Sequence, residues 1–138
     1  LDDTYIVLGW PQTLALTGDP LTNGTIDLRA FLTIVATEDD TRVVVRLTTD
    51  ILPGSDIPAA NAGDEIVLTM SRGEVINLET DGFNADFTGT EVLSNGVDHP
   101  VAVFVGSEAS DFSNAAAVPI TSSNRSFPSA PMARASLR

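Results

Sequence analysis

The loop from position 81 to position 86 holds the side chains of this sequence that are best suited to binding a metal ion. Asp81, Asn84 and Asp86 place three oxygen donors within six residues. Calcium is a hard cation that prefers several oxygen ligands, and a loop can wrap these ligands around it. The loop has neither the full EF-hand pattern nor its terminal glutamate. We therefore name these three residues as candidate calcium ligands, and apart from calcium we predict no cofactor.

The common kinds of catalytic site have few candidate residues in this chain. There is no cysteine, which excludes disulfides, thiolate metal sites and thiol nucleophiles. The single histidine, His99, stands beside Pro100 at a predicted turn, where we expect it at the surface. Acidic residues cluster at 2–3, 38–40 and 64–65, but neighbours on a strand point to opposite faces. We predict that the chain is not an enzyme. A carboxylate-based hydrolase, which needs two acidic residues on opposite sides of a cleft, is a less favoured alternative.

Trp10 is the aromatic side chain that we name as a candidate ligand-binding residue. It precedes Pro11 at the end of a predicted strand. An aromatic ring at such a position can stack on a sugar or a peptide. Packing in the core or at its rim is the alternative interpretation.

The charge of the chain limits its partners. The formal net charge of the 138 residues is −12, and all 19 acidic residues lie in 1–112 with only four of the seven arginines. Such a negative surface repels phosphate backbones and anionic lipid headgroups, so we predict no nucleic-acid binding. No apolar run approaches the roughly 18 residues that a membrane helix needs, so we predict no membrane insertion. Cations or basic protein surfaces are the expected electrostatic partners.

Short β-rich runs separated by turn residues predict about seven strands and no helix. The runs are 4–10, 28–37, 42–47, 64–71, 74–80, 87–93 and 100–106. The short gaps at 38–41 and 72–73 predict two hairpins. The nearly continuous apolar run 101–105 predicts a strand that is covered on both faces. The spacing predicts an all-β fold, an antiparallel β-sandwich, with a barrel-like arrangement as the alternative.

This pattern predicts a domain organisation and a core. Residues 1–112 form a β-sandwich-type module, which we expect to be partial. Residues 113–138 change to Ser, Ala, Pro and Arg and are predicted to be an irregular tail or linker. Period-two burial predicts that the inner faces of the sheets carry Phe31, Ile34, Val43, Val45, Ile66, Leu68 and Val103.

Three stretches of the sequence resemble the N-terminal domain of the IgGFc-binding protein family. They are 31–47 (FLTIVATEDDTRVVVRL), 62–70 (AGDEIVLTM) and 86–107 (DFTGTEVLSNGVDHPVAVFVGS). The family includes bacterial secreted and surface proteins. The resemblance implies an extracellular or cell-surface location, a β-rich fold without catalysis, and a place in a larger chain.

We therefore predict an extracellular binding or adhesion module that recognises a protein or glycan partner. The alternative is a structural spacer domain that calcium could stabilise. The two differ in whether the module has a ligand at all.

Overall fold

The computed structural model describes residues 1–16 and 25–108, and every regular element in these ranges is a β-strand. No helix that could cross a membrane is found in these ranges. The all-β prediction is confirmed, with nine strands where about seven were predicted. The strands are β1 (Thr4–Ile6), β2 (Thr13–Leu16), β3 (Thr25–Leu28), β4 (Ala30–Ala36), β5 (Thr41–Arg46), β6 (Glu65–Met70), β7 (Val75–Glu79), β8 (Glu91–Leu93) and β9 (Val101–Ser107).

Two antiparallel sheets form the β-sandwich. The three-stranded sheet has the order β7-β4-β9, and the four-stranded sheet has the order β1-β8-β5-β6. Neither closes into a barrel, so the barrel-like alternative is wrong for the described strands. Separately, β2 and β3 pair in a two-stranded sheet, most of which belongs to a second compact unit.

Alternation along the strands builds the core between the two sheets. In β4, every second residue is buried, beginning at Ala30 and including Leu32 and Ile34 at 0% exposure. Val43 and Val45 of β5 are buried in the same core cluster from the opposite sheet. The Tyr5 hydroxyl donates to the carbonyl oxygen of Val101 at 2.8 Å, which joins β1 of one sheet to β9 of the other.

The two predicted hairpins are wrong, because each short connection carries the chain from one sheet to the other. β4 and β5 lie in different sheets, as do β6 and β7. Asp40 (φ 54°) and Gly73 (φ 80°) take the left-handed backbone conformation at these crossings. The Gly73 N–H donates to the Ala36 carbonyl at 2.8 Å, and the Arg72 N–H donates to Asp39 Oδ1 at 2.9 Å. These hydrogen bonds join the two crossings to each other.

One strand starts later than the sequence predicts. The predicted strand 87–93 becomes β8, which begins at Glu91, because the Thr90 N–H donates to the Phe87 carbonyl at 2.9 Å and closes a turn. Gly89, with φ 88°, makes this turn possible. β2 and β3, which lie before position 17 and after position 24, were not predicted.

Most of the predicted core is confirmed, and the exceptions lie on the outer side of the three-stranded sheet. Phe31 is half-buried on the opposite side of β4 from Ile34. β9 buries Val101 but leaves Phe104 58% exposed, so the prediction of a strand covered on both faces is wrong. Leu68 and Val103 are partly buried and pack against the core, which fully buries Ile34, Val43, Val45 and Ile66. The predicted tail at 113–138 lies outside the described residues, and the boundary at 112 stays a prediction.

Candidate functional site

The outer side of the three-stranded sheet exposes aromatic and apolar side chains, and we call it the aromatic face. Its side chains alternate with the buried ones of β4, β7 and β9 and line up across the strands in register. Phe104 and Val75 are each 58% exposed there, and Phe31 is half-buried. The aromatic face consists of Phe31, Thr33, Val35, Val75, Asn77, Glu79, Ala102, Phe104 and Gly106.

Gly106 lets the ring of Phe31 lie close to β9. A Cβ at this glycine would lie only 2.6 Å from Phe31 Cζ, so the tip of the ring occupies the space that a side chain would fill. In the next row, the Thr33 hydroxyl donates to Asn77 Oδ1 at 2.6 Å. Phe104 pairs with Thr33 across the strands and projects beyond this layer. The face therefore has one ring held against the sheet and one exposed.

The outer side of the four-stranded sheet has a different character, because ion pairs lie among its exposed apolar side chains, of which Ile6 on β1 is 75% exposed. Arg46 Nε lies 3.0 Å from Glu65 Oε2, and Arg46 Nη1 lies 3.5 Å from Glu91 Oε1. The hydrogen bond and charge of Glu65, and then the charge of Glu91, raise the pKa of the Arg46 guanidinium. Val67, at 46% exposure, is the large apolar residue most exposed on β5 and β6. Cross-strand ion pairs of this kind favour a solvated surface.

A pocket of about 310 Å³ opens at one end of the aromatic face, and we call it the end pocket. Glu108 Oε2 accepts a hydrogen bond from the Arg29 backbone N–H at 2.7 Å. Arg29 Nη1 donates to the Thr80 carbonyl at 3.1 Å, and Asn77 Nδ2 lies 3.4 Å from Glu79 Oε1. The pocket therefore contains both donors and acceptors whose positions are set by neighbours. Its lining is Arg29, Phe31, Asn77, Glu79 and Glu108.

The segment that holds Trp10 lies beside the predicted calcium loop. The Gln12 N–H donates to the Ala85 carbonyl at 2.7 Å, and the Asn84 N–H donates to the Gln12 carbonyl at 2.9 Å. Trp10 is 49% exposed, and Phe83 in the loop is 67% exposed. The structure therefore brings the two predicted sites together at this loop.

Gln12 fixes the loop from inside. Its side chain is 1% exposed, and its terminal amide faces three oxygens: Thr80 Oγ1 at 2.7 Å, and the carbonyls of Thr80 and Gly82 at 3.1 Å. Only the amide nitrogen can donate to oxygens, so Nε2 points at them. The Thr80 hydroxyl in turn accepts from the Ala30 N–H at 3.1 Å. This buried amide therefore connects the loop to the start of β4.

The three predicted calcium ligands have different surroundings. Asp86 Oδ1 already accepts hydrogen bonds from the N–H and the hydroxyl of Thr88, at 2.9 and 3.0 Å. Asp81 and Asn84 are exposed, and Asn84 has a φ of 65°. In the described ranges, no group of three or more His, Cys, Asp or Glu side chains could hold a metal ion. Calcium binding at this loop stays a prediction.

Calcium binding has a direct thermal test. If Asp81, Asn84 and Asp86 bind the ion, 5 mM calcium is expected to raise Tm by about 3 °C or more over the value in chelator. Asp81→Asn should remove this rise, whereas Asp56→Asn, in another exposed loop, should keep it. Differential scanning calorimetry measures both. Equal melting temperatures with and without calcium would contradict the prediction.

Asp39 and Asp64, from two of the acidic clusters, and Glu74 cap turns. Asp39 Oδ1 accepts from the Arg72 N–H, and Asp64 Oδ2 accepts from the Asn61 N–H at 2.8 Å. Glu74 Oε2 accepts from the Ser71 N–H at 2.8 Å. Each of these carboxylates has a structural use, which favours capping over the hydrolase alternative.

The two phenylalanines of the aromatic face were missed as functional candidates. Phe104 lies in the apolar run 101–105, so composition alone does not separate it from Val103 and Val105, which pack against the core. The usable signal was alternation counted from Ala30, which places Phe31 on the outer side of β4. Glycine at 106 was a further sign that another group approaches the backbone closely.

Comparison with known proteins gives one match. A sequence model of the family described as IgGFc binding protein matches residues 1–127, which include both sheets of the sandwich and extend beyond position 112. No curated protein and no solved structure matches the chain.

Proposed function

Because the chain belongs to the IgGFc binding protein family, we propose that it is a non-catalytic module that binds a protein partner through the aromatic face. The observation that carries the proposal is the exposure of Phe104 and Val75 on one sheet surface, at 58% each. Aromatic side chains on a rigid strand lose little conformational entropy on binding and are common anchors of interfaces. A module that only spaces other domains has no need of such a surface.

The size of the aromatic face fits the centre of an interface. Three strands about 4.8 Å apart, with about 3.3 Å per residue, give an area of roughly 300 Å². This area includes the polar side chains of Thr33, Asn77 and Glu79, so the apolar patch within it is smaller. A stable complex buries about 800 Å² on each partner, so surrounding polar residues must also take part.

Charge narrows the class of partner. Glu79 lies on the aromatic face and Glu108 at its end, in a module that has 19 acidic residues and four arginines in 1–112. A partner with an apolar centre and a rim of Lys or Arg complements this surface. Binding is therefore expected to weaken as salt rises, because salt screens rim charges. An extracellular location, which is typical of the family, is part of the same proposal.

The test uses the partner that the family description names. We expect the full chain, immobilised for biolayer interferometry, to bind the Fc fragment of IgG. Phe104→Ser is expected to weaken this binding about tenfold or more, because it removes the most exposed ring of the face. Val75→Thr should weaken it to a smaller extent.

The control for this experiment lies on the opposite sheet. Val67→Thr makes the same change as Val75→Thr, at a valine that is 46% exposed beside the Arg46 ion pairs. It should leave Fc binding within twofold of the original protein. Equal losses at Val67 and Val75, or unchanged binding in Phe104→Ser, would show that the aromatic face is not the contact surface. Absence of Fc binding by the original chain would rule out Fc as its partner.

A further inference from the structure

We propose that the end pocket binds one neutral sugar ring, which could belong to a glycan on the protein partner. The sugar site is argued from the pocket alone. The attachment of the sugar to a protein partner rests on the proposed function.

The chemistry of the lining matches a sugar. Each sugar hydroxyl both donates and accepts hydrogen bonds, and the pocket offers both kinds of partner. The Asn77 amide has a donor and an acceptor, the Glu79 and Glu108 carboxylates accept, and the Arg29 guanidinium donates. Phe31 adds an apolar surface on which the C–H side of a sugar ring can pack. Few precisely placed polar groups beside an apolar wall are the usual composition of a small-molecule pocket.

The polar groups are held in place by contacts within the protein. Thr33 donates to Asn77 Oδ1 at 2.6 Å, which leaves the Asn77 Nδ2 group directed toward Glu79. The Thr80 carbonyl holds Arg29 Nη1, and the Arg29 backbone N–H holds Glu108. Such positioning lowers the entropy that binding would otherwise cost.

Charge and size narrow the competitors. The carboxylates of Glu79 and Glu108 disfavour an acidic sugar or a phosphate. Because Arg29 offsets only one of these charges, a Lys or Arg side chain is the remaining competitor, and the titration below tests it with N-acetylarginine amide. A volume of about 310 Å³ is near the lower limit for small-molecule pockets, which start at about 300 Å³. One ring fits, and the remainder of a glycan would extend over the aromatic face or into solvent.

The test is an NMR titration of the full chain, labelled with ¹⁵N, with the methyl glycosides of glucose, galactose, mannose and N-acetylglucosamine. We expect at least one of them to shift the Asn77 side-chain amide and the Gly106 amide in a saturable way. A single ring should bind with a Kd of about 1–10 mM. Asn77→Ala and Glu79→Gln should each weaken it about fivefold or more. Thr69→Ala, on the outer side of the four-stranded sheet, should leave the Kd unchanged.

Three results would overturn the sugar site. These are no saturable shift with any of the four glycosides, shifts only with N-acetylneuraminic acid or with N-acetylarginine amide, and unchanged affinity in both Asn77→Ala and Glu79→Gln. The spectrum of each variant shows directly whether it is folded. Phe104→Ser separates the two proposals, because it should weaken Fc binding about tenfold or more and leave the glycoside shifts intact. Loss of Fc binding alone therefore does not count against the pocket.

Discussion

Phe87→Ala is expected to lower the free energy of unfolding by about 3–5 kcal/mol. Phe87 is the largest of the fully buried side chains and is 0% exposed. It belongs to the cluster that contains Ile34 of one sheet and Val45 of the other, although it lies in a turn and not in a strand. Truncation would remove its buried surface and leave a cavity that packed strands on both sides cannot collapse to fill.

The matched control for Phe87→Ala is the same substitution four residues earlier. Phe83 is 67% exposed, so Phe83→Ala should change the free energy of unfolding by less than about 0.5 kcal/mol. Urea denaturation followed by circular dichroism measures both variants. Phe87→Leu, which keeps most of the volume, should lose clearly less than Phe87→Ala. Similar losses for Phe87→Ala and Phe83→Ala would mean that Phe87 is not a core residue.

Gln12→Glu is expected to make the stability of the module depend on pH in a way that the original chain does not. The Gln12 amide nitrogen faces three oxygens in a site with 1% exposure. A carboxylate there would be buried against two carbonyl oxygens, which cannot donate, with only the Thr80 hydroxyl able to donate to it. Folding would therefore favour its protonated form and raise its pKa above the ordinary value of about 4.3. The folded state would then hold the proton more tightly than the unfolded state.

The sign of the effect follows from this difference in proton binding. Below about pH 4.3 both states are protonated, and the loss of stability is smallest. Above it, the free energy of unfolding falls by about 1.4 kcal/mol per pH unit until the folded state also releases the proton. The total loss by pH 7 is about 3–4 kcal/mol if the folded state still holds the proton there. The measurement is urea denaturation from pH 4 to pH 8, with the original chain subtracted at each pH.

Gln12→Leu is the control for this pH dependence. It removes the donor without adding a charge, so it should lower the free energy of unfolding by about 1–3 kcal/mol, and by the same amount at every pH. If Gln12→Glu loses stability in parallel with Gln12→Leu over the whole range, the amide does not face the three oxygens as described. A loss confined to low pH would also contradict the argument, because it has the opposite sign.

The position of Gln12 also explains how the loop at 81–86 is held in its conformation. The amide reaches the carbonyls of Thr80 and Gly82, and the backbone of Gln12 pairs with Asn84 and Ala85. These contacts order the loop by hydrogen bonds to the N-terminal segment. The Asp81→Asn and Gln12→Leu variants therefore measure the predicted calcium contribution and the Gln12 contribution to stability independently.

Candidate functional residues were chosen from the sequence by residue type alone. This choice identified Trp10 and the loop at 81–86 but not the aromatic face. Trp10 and the loop at 81–86 were named separately, and only the structure places them side by side. Phe31 and Phe104 were assigned to the inside, because an apolar residue in an apolar strand is normally core. Their exposure depends on which side of β4 and β9 meets the other sheet, and that is a property of the packed pair of sheets.

The sequence by itself determined the class of fold and most of the core. β-branched residues at a period of two favour strands, and this local preference is sufficient to identify β4, β5, β6 and β9 and to place Ile34, Val43, Val45 and Ile66 inside. It also determined the acidic character of the module and the absence of cysteine chemistry.

Only the tertiary structure decided which strands pair and therefore which surface is exposed. A short connection looks the same in sequence whether it closes a hairpin or crosses between sheets, because the difference lies in hydrogen bonds to strands that are distant along the chain. The crossings after β4 and β6 place β7, β4 and β9 together. This pairing creates the aromatic face and the end pocket, and no local pattern contains that information.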